Sequence, residues 1–390
     1  MIPKRFIGYG RQHIDDDDKA AVLAALDGDY LTQGPLVERF EAVFAERVGA
    51  RFAVAVANGT AALHLACLAA KTGRGDTVVT SDLTFLASAS APLLCGAEVR
   101  LADIDANTLC LTEDTVVHAL SGRRPHAIIP VHFAGLPASM VGLRQLTDII
   151  IEDAAHALGA LHEDGSSVGA CSSSDMCIFS FHPVKTITTG EGGMVTTNDE
   201  MLVHKLRMLR SHGMERDPQI FKVTKAEDVG PWSYEQQEIG LNYRLTDFQA
   251  ALGLSQLMKL DRFLERRREI SAYYYEAFAS SAVVNPVQSN ADFRKRSGHH
   301  LYVVEIDFDK IGMTRADVMV ALRDKGIGTQ VHYIPLHRQP FHAHHDDGNG
   351  VSFPNAEAYY RQCLTLPLFP DLKDEEVEYV ASTVQDVVHS

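Results

Sequence analysis

The sequence predicts an α/β fold: a mostly parallel sheet sandwiched by helices, with a smaller C-terminal α/β domain behind it. Three observations carry this. From about Phe52 to Met201, short apolar runs alternate with stretches of helical spacing. The runs are nearly continuous in apolar residues, as in strands covered on both faces. After about Val283 strand and helix candidates alternate again on a smaller scale.

The elements follow in order. DDDDK, at Asp15–Lys19, mimics a protease-site tag but runs straight into AAVLAALDGDY. It reads as a native helix start, where carboxylates suit the dipole. RFAVAVAN is a strand and GTAALHLACLAAK a helix; DTVVTS is a strand, followed by a helix through Phe85–Leu94. EVRLAD, PHAIIPVHF, TDIIIEDAA, DMCIFSF and GMVTTND are further strands. The polar stretch Met214–Gln237 is a loop long enough to suggest function or subunit contact. TDFQ, at Thr246–Gln249, is a capping box opening one long helix toward Ala277. HLYVVEIDF and QVHYIPLH read as strands, TRADVMVALRDKG and KDEEVEYVASTVQDVV as helices. This divides the chain into a large domain, 1–260, and a smaller one, 261–390.

The 390 residues are enough for a sizeable core, and 46% hydrophobic with 22% charged residues is ordinary for a globular protein. A net charge of −15 disfavours nonspecific binding to nucleic acid or anionic membrane, while a local site can still take an anionic small ligand. No apolar leader or bilayer-length run is visible, and the six cysteines form no C-x-x-C pair. Buried reduced thiols in a cytoplasmic protein are the expectation.

In such sheets ligands gather at the carboxyl ends of strands, and three features fall there. NGTAAL, at Asn58–Leu63, turns from strand to helix at a Gly-Thr pair. It is an ordinary junction or a phosphate site built from backbone N–H groups and a hydroxyl. IIIEDAAH, at Ile149–His156, places two carboxylates after an apolar strand, as a helix cap or as an anion for a cationic ring nitrogen. In FSFHPVKTITTGEGG, Lys185 stands with no other basic residue except His182. A lone lysine is ordinarily solvated. One held just past a buried strand loses its proton more easily and can attack a carbonyl. A phosphate site, a carboxylate and an imine-forming lysine together are what pyridoxal 5′-phosphate requires. Phe85, in SDLTFLASAS, could supply an aromatic face or simply pack in the core.

NGTAALHLA, VHFAG, IEDAAHALGA, SFHPVKTITTGEGGMVTTND and GLNYRLTDFQAALGLSQL, in this order, resemble the DegT/DnrJ/EryC1/StrS family of sugar aminotransferases. The likeness spans about residues 28 to 265 and weakens toward the C-terminus. It implies the aspartate aminotransferase-like fold (fold type I) with pyridoxal 5′-phosphate. Lys185 matches the Schiff-base lysine and Asp153 the partner of the pyridine nitrogen. Phe85 matches the stacking aromatic, Thr60 and Ala61 the phosphate turn, and Ser180 a hydroxyl to the same phosphate. His156 stands where many relatives carry glutamine, near the ring oxygen. Asn242 matches an asparagine that reaches the phosphate from a second subunit, implying a homodimer with shared sites. His332, His337 and Arg244 are candidate substrate contacts; each could equally serve a structural bond. One subgroup of the family is a dehydratase with histidine in place of the lysine, so Lys185 implies transamination. YGRQHIDDDDKAAVLAALDGDYLTQGP and VHYIPLH are most similar to enzymes that aminate C4 of a UDP-linked 4-keto-6-deoxy-hexosamine for pseudaminic acid, with L-glutamate as donor.

Other readings remain at this stage: a C4 or C3 aminotransferase of another nucleotide sugar (dTDP- or GDP-linked), or a non-enzymatic cofactor-binding protein. A metal site at HAHHDD is a further one, using His342, His344, His345, Asp346 and Asp347.

Overall fold

The computed structural model describes residues 5–120, 122–343 and 351–389. Its centre is a seven-stranded sheet: β1 (Phe52–Val56), β2 (Thr77–Ser81), β3 (Glu98–Ala102), β4 (Ala127–Ile129), β5 (Ile149–Asp153), β6 (Met176–Ser180) and β7 (Gly193–Thr197). The order is β1-β7-β6-β5-β4-β2-β3. Every neighbouring pair is parallel except those of β7, which runs antiparallel to both β1 and β6. Six strands therefore end at one edge of the sheet, and β7 begins there.

Both faces of the sheet are buried, as near-continuous apolar strands require. Along β6, Met176 and Ile178 enter one core with Ala62 and Ala66 of the helix Gly59–Ala69. Cys177 and Phe179 enter the other, with Phe40 and Phe44 of the helix Pro35–Val48. This is the period-two alternation of a strand with two apolar faces. All six cysteines are free thiols, five of them buried and Cys95 half-buried.

The acidic run behaves as its position predicts. The helix Asp16–Leu26 is capped by Asp15, whose Oδ1 accepts from Asp18 N–H at 3.3 Å, while Asp18 Oδ2 accepts from Asp15 N–H at 3.0 Å. Asp18 is fully buried and meets Lys259 Nζ at 2.9 Å and Gln256 Nε2 at 2.8 Å. The expected single long helix is two, Asp247–Leu257 and Leu260–Phe278. No glycine or proline marks the break; it falls where Lys259 reaches across to Asp15 and Asp18. The capping box is present, with Gln249 Oε1 accepting from Thr246 N–H at 3.1 Å. The second helix starts in the core of the large sheet, with Leu260 and Phe263, and ends in a C-terminal core, with Ile270, Tyr274 and Phe278.

That C-terminal core surrounds a three-stranded antiparallel sheet, Val284–Pro286, Tyr302–Ile306 and Cys363–Leu366. Ile7 joins it and bridges Ile327, so the start of the chain packs with its end. QVHYIPLH is not the strand its apolar pattern predicts. Only Gln330 bridges Thr365; residues 331–334 turn toward a cavity, and Pro335, with no N–H to donate, leads into a short turn, Leu336–Arg338. PHAIIPVHF is a strand only over Ala127–Ile129, because Pro130 ends the ladder. Among the described residues no helix is long and apolar enough to cross a membrane.

Replacing Asp18 with Ala leaves Lys259 without its buried partner and should cost about 3 kcal/mol. Urea unfolding of the variant beside the parent protein measures the loss.

Candidate active site

The carboxyl ends of β1, β2, β5 and β6 line a cavity of about 670 Å³, closed from the other side by residues 330–334, Tyr9 and His300. The three sequence features meet in it: Asn58–Thr60, Asp153 and Lys185.

The turn after β1 is held by its backbone. Asn58 Oδ1 accepts from Ala61 N–H at 2.8 Å, and its carbonyl takes Ala62 N–H at 3.0 Å. The first two N–H groups of the helix, on Gly59 and Thr60, stay open to an anion. Close approach requires glycine here. A Cβ on Gly59 would lie 2.9 Å from Ser180 Cβ, and one on Gly193 would lie 2.6 Å from the Asn58 carbonyl oxygen. Thr60 and Ser180 thus bring hydroxyls to one cradle, whereas Ala61 is buried, does not line the cavity and has its N–H taken by Asn58.

Asp153 ends β5. Its Oδ2 accepts from Ser88 Oγ at 2.6 Å, Ser88 in turn meets Thr84 Oγ1 at 2.8 Å, and Oδ1 accepts from Ala155 N–H at 3.1 Å. A carboxylate tied in this way keeps its orientation. Lys185 sits in the connection between antiparallel neighbours β6 and β7, its N–H bonded to the His182 carbonyl at 2.8 Å. It is the one lysine or arginine among the described lining residues. Burial pulls its ammonium from 10.5 down to about 8, against an upward pull from Asp153.

Histidines complete the wall. His156 Nε2 meets the Tyr333 hydroxyl at 3.1 Å, and its buried Nδ1 has no partner. Burial, then Lys185, holds the His156 imidazole well below its ordinary value, so it is neutral. His332 bonds Thr365 Oγ1 at 2.9 Å through Nδ1 and is pushed down to about 3 by burial. Phe85 is 56% exposed, so it is no core residue; it lines the cavity 5.9 Å from the Tyr333 ring.

Three candidates lie elsewhere. His337 is held from both sides, by Asp82 Oδ2 and Glu357 Oε1 at 2.7 Å each, and stacks on Phe353; it does not line the cavity. Asn242 is exposed and bridges Ser211; Arg244 bridges Val56, with its buried Nε unpartnered among the described residues. Neither lines the cavity of its own chain. His182 is exposed at the rim, and its carbonyl is what steadies Lys185. Of HAHHDD, His342 ends in a short helix; His344, His345, Asp346 and Asp347 lie outside the described residues.

Among the described residues one group has metal-ligand composition: His132, Glu152 and His162. Glu152 points to the opposite face from Asp153. Its Oε2 meets His132 Nε2 at 2.7 Å and His162 Nε2 at 3.0 Å. Ala138 N–H donates to His132 Nδ1 at 3.1 Å, so the ring proton is on Nε2, facing Glu152. A metal on Nε2 would need that proton on Nδ1, against Ala138. The group is a buried hydrogen-bonded cluster around the Glu152 carboxylate. Its histidines hold Glu152 well below the carboxylate range, and Glu152 in return raises His162.

Sequence reasoning missed Ser88, Tyr333, Tyr9 and His300. Ser88 carried a signal, standing one helical turn after Thr84 in SDLTFLASAS. Tyr9 and Tyr333 lie in the YGRQHI and VHYIPLH segments that carry the resemblance, but their side chains gave no signal of their own, and His300 gave none.

The residues present fit a planar phosphorylated carbonyl cofactor. They offer open backbone N–H groups between two hydroxyls, a fixed carboxylate, a lysine that deprotonates readily, and the orphaned Nδ1 of His156. The DegT/DnrJ/EryC1/StrS aminotransferase profile matches residues 12–385. The chain is 38% identical over 398 aligned positions to the spore coat polysaccharide biosynthesis protein SpsC of Bacillus subtilis, covering 100% of this chain and 99% of that one. The structure superposes on Helicobacter pylori PseC, an aminotransferase of pseudaminic acid biosynthesis, with a TM-score of 0.88 and 28% identity, over 98% of this chain and 99% of that one. It also superposes on the PLP form of Spr1654 of Streptococcus pneumoniae, described as a sugar aminotransferase. That match has a TM-score of 0.86 and 27% identity over 98% of each chain.

Lys185 should trap pyridoxal phosphate covalently, reducible with borohydride. Since the free amine attacks and its pKa is about 8, the rate of capture should rise with pH around a midpoint near 8 rather than 10.5. Asp153→Asn removes the charge that raises this value and should move the midpoint lower. Stopped-flow absorbance across pH reads both.

Proposed function

The chain belongs to the DegT/DnrJ/EryC1/StrS aminotransferase family, and from that premise we propose that it moves an amino group from L-glutamate to C4 of a UDP-linked 4-keto-6-deoxy-N-acetylhexosamine. It has the fold of the pyridoxal phosphate-dependent aminotransferases and is itself a sugar aminotransferase using that cofactor. The observation that carries the chemistry is the convergence of Lys185, Asp153 and the open N–H groups of Gly59 and Thr60 in one cavity. The choice of sugar draws support from the likeness to PseC and from the N-terminal and VHYIPLH segments, which supply Tyr9, His332 and Tyr333 to the wall.

Bound in the cavity, pyridoxal phosphate supplies an electrophilic carbonyl and an electron-withdrawing ring through which an amino group can pass from donor to acceptor. The helix N-terminus, with the Thr60 and Ser180 hydroxyls, holds the phosphate. Asp153, kept in place by Ser88, holds a proton on the ring nitrogen. Phe85 offers an aromatic face to the ring. His156, neutral, can donate or accept one hydrogen bond without adding charge beside Lys185. Lys185 Nζ would take the proton from Cα of the amino donor and return it to the cofactor's carbonyl-derived carbon; in the second half of the cycle it would take a proton from that carbon and deliver it to C4 of the sugar. Its lowered pKa suits both directions, since an amine poised near 8 gives up and regains a proton at neutral pH.

The protein acts as a homodimer in this reading. Asn242 and Arg244 stand outside their own cavity, and Trp232, Tyr234 and Ile239 are exposed in the same stretch of chain, at 77%, 58% and 88%. Asn242 then reaches the phosphate bound by the other subunit, with Arg244 beside it.

Incubation with L-glutamate and a panel of UDP-, dTDP- and GDP-linked 4-keto sugars, with products identified by mass and NMR, tests the substrate. Amination of only a dTDP- or GDP-linked sugar would overturn it. Lys185→Ala should abolish turnover. Ser88→Ala, which removes a hydrogen bond to a charged group, should lower kcat by roughly ten- to a hundredfold. Mixed dimers of Lys185→Ala with Asn242→Ala should regain activity that neither parent shows, because one of their two sites is intact.

A further inference from the structure

The backbone of His300, in the cavity wall, is held from two sides. Its N–H donates to the Ala134 carbonyl at 3.0 Å, and Leu301 N–H donates to the same oxygen at 3.1 Å. Its carbonyl accepts from Arg267 Nη1 at 3.2 Å, an atom also within 3.4 Å of the His299 carbonyl and 3.1 Å of the Leu368 carbonyl. Arg267 is 1% exposed and makes no ion pair among the described residues; carbonyl oxygens alone offset its charge. Burial lowers it only to about 10, so the charge remains. Burying an arginine on carbonyls is costly. On the other side, Ala134 takes a φ of 58°, unusual for a residue with a Cβ. Gly135, at φ 111°, has no room for a side chain: a Cβ would lie 2.8 Å from His299 N and 3.0 Å from His300 N. An unpaired arginine and a strained turn thus converge on one residue.

The ring so placed lies against His156, centroid to centroid 4.5 Å and tilted by 32°. Phe133 meets the same His156 ring edge-on at 6.2 Å, and Tyr333 bonds its Nε2. Among the described residues neither histidine's buried Nδ1 has a partner, and the hydrogen bond of the His156 ring is the one to Tyr333. A hydroxyl can bond either ring nitrogen, so that bond alone does not set which one it meets; packing against the His300 ring does. We infer that His300 is a positioning residue: its ring, clamped by Arg267 and the Ala134–Gly135 turn, fixes the orientation of the His156 imidazole and therefore which of its nitrogens meets Tyr333. Lys185, His332, Tyr333 and Arg267 face this pair, and burial keeps both imidazoles uncharged beside them. The inference rests on the proposed aminotransferase reading only for its consequence in turnover.

The test compares His300→Ala, His300→Phe and His300→Gln in protein labelled with 15N-histidine, with and without pyridoxal phosphate. The His156 resonances are identified by their loss in His156→Asn. In the parent protein His156 should show a single neutral tautomer. His300→Ala should turn this into a mixture and lower kcat for the glutamate half-reaction about three- to tenfold, the worth of an aromatic contact, with KM little changed. His300→Phe keeps a ring and should restore both the tautomer and the rate; His300→Gln should not. Unchanged His156 resonances in His300→Ala overturn the inference. So does rescue by Gln rather than Phe, which would assign a hydrogen bond instead. The resonances report on His156 whatever sugar is used, so failure of the substrate assignment would leave this result standing.

Discussion

Gly193 is the hinge on which the site depends. As the first residue of β7 it is paired with Val56 of β1 on one side and with Ser180 of β6 on the other. That pairing exists because β7 is inserted antiparallel between strands that run parallel to each other. It brings the end of β1, the end of β6 and the start of β7 to one point. The turn at Asn58–Thr60 then rests on Ser180 with no side chain between them, and the connection bearing Lys185 must leave and return at the same place. A Cβ at Gly193 would push the Asn58 carbonyl away and open the cradle. The cavity is a consequence of strand order before it is a consequence of any catalytic side chain.

Electrostatics then divides the work. Glu152 and Asp153 are neighbours on β5 and face opposite sides of the sheet. Glu152 is tied to two histidines and Ser174 and is wholly committed to structure. Asp153 is bonded to Ser88 and Ala155 but still opens on the cavity. Across from Lys185 the wall carries the imidazoles of His156, His300 and His332, which burial keeps neutral. A second cation there would lower the lysine's pKa further, and a second carboxylate as close as Asp153 would raise it. Asp153, with Glu191 exposed at the rim, and the neutral rings of His156, His300 and His332 leave the amine near the middle of its useful range.

Much of this was legible in the sequence. The seven strands follow from apolar runs, and the positions of Asn58–Thr60, Asp153 and Lys185 follow from the rule that ligands sit at strand ends. Where the pattern misled, a side chain had been recruited for something other than the ladder. Residues 331–334 have the apolar character of a strand, yet they line the cavity. The long helix has unbroken periodicity, yet it divides where Lys259 is drawn to Asp15 and Asp18. Phe85 has the composition of a core residue and stands open to the cavity. His337 has the composition of a ligand and is spent on Asp82 and Glu357.

By itself the sequence determined the α/β class and singled out the strand-end positions Asn58–Thr60, Asp153 and Lys185, which the structure brings into one cavity. These are local: each needs only a strand, the turn after it and the residue types within a few positions. Tertiary structure alone decided which residues surround that chemistry. Tyr9, His300 and Tyr333 come from opposite ends of the chain, and Ser88 reaches Asp153 across 65 positions of sequence. No periodicity records such meetings, because they depend on how the C-terminal core packs against the large sheet. The unpartnered nitrogens of His156 and His300 become visible only once that packing has buried them.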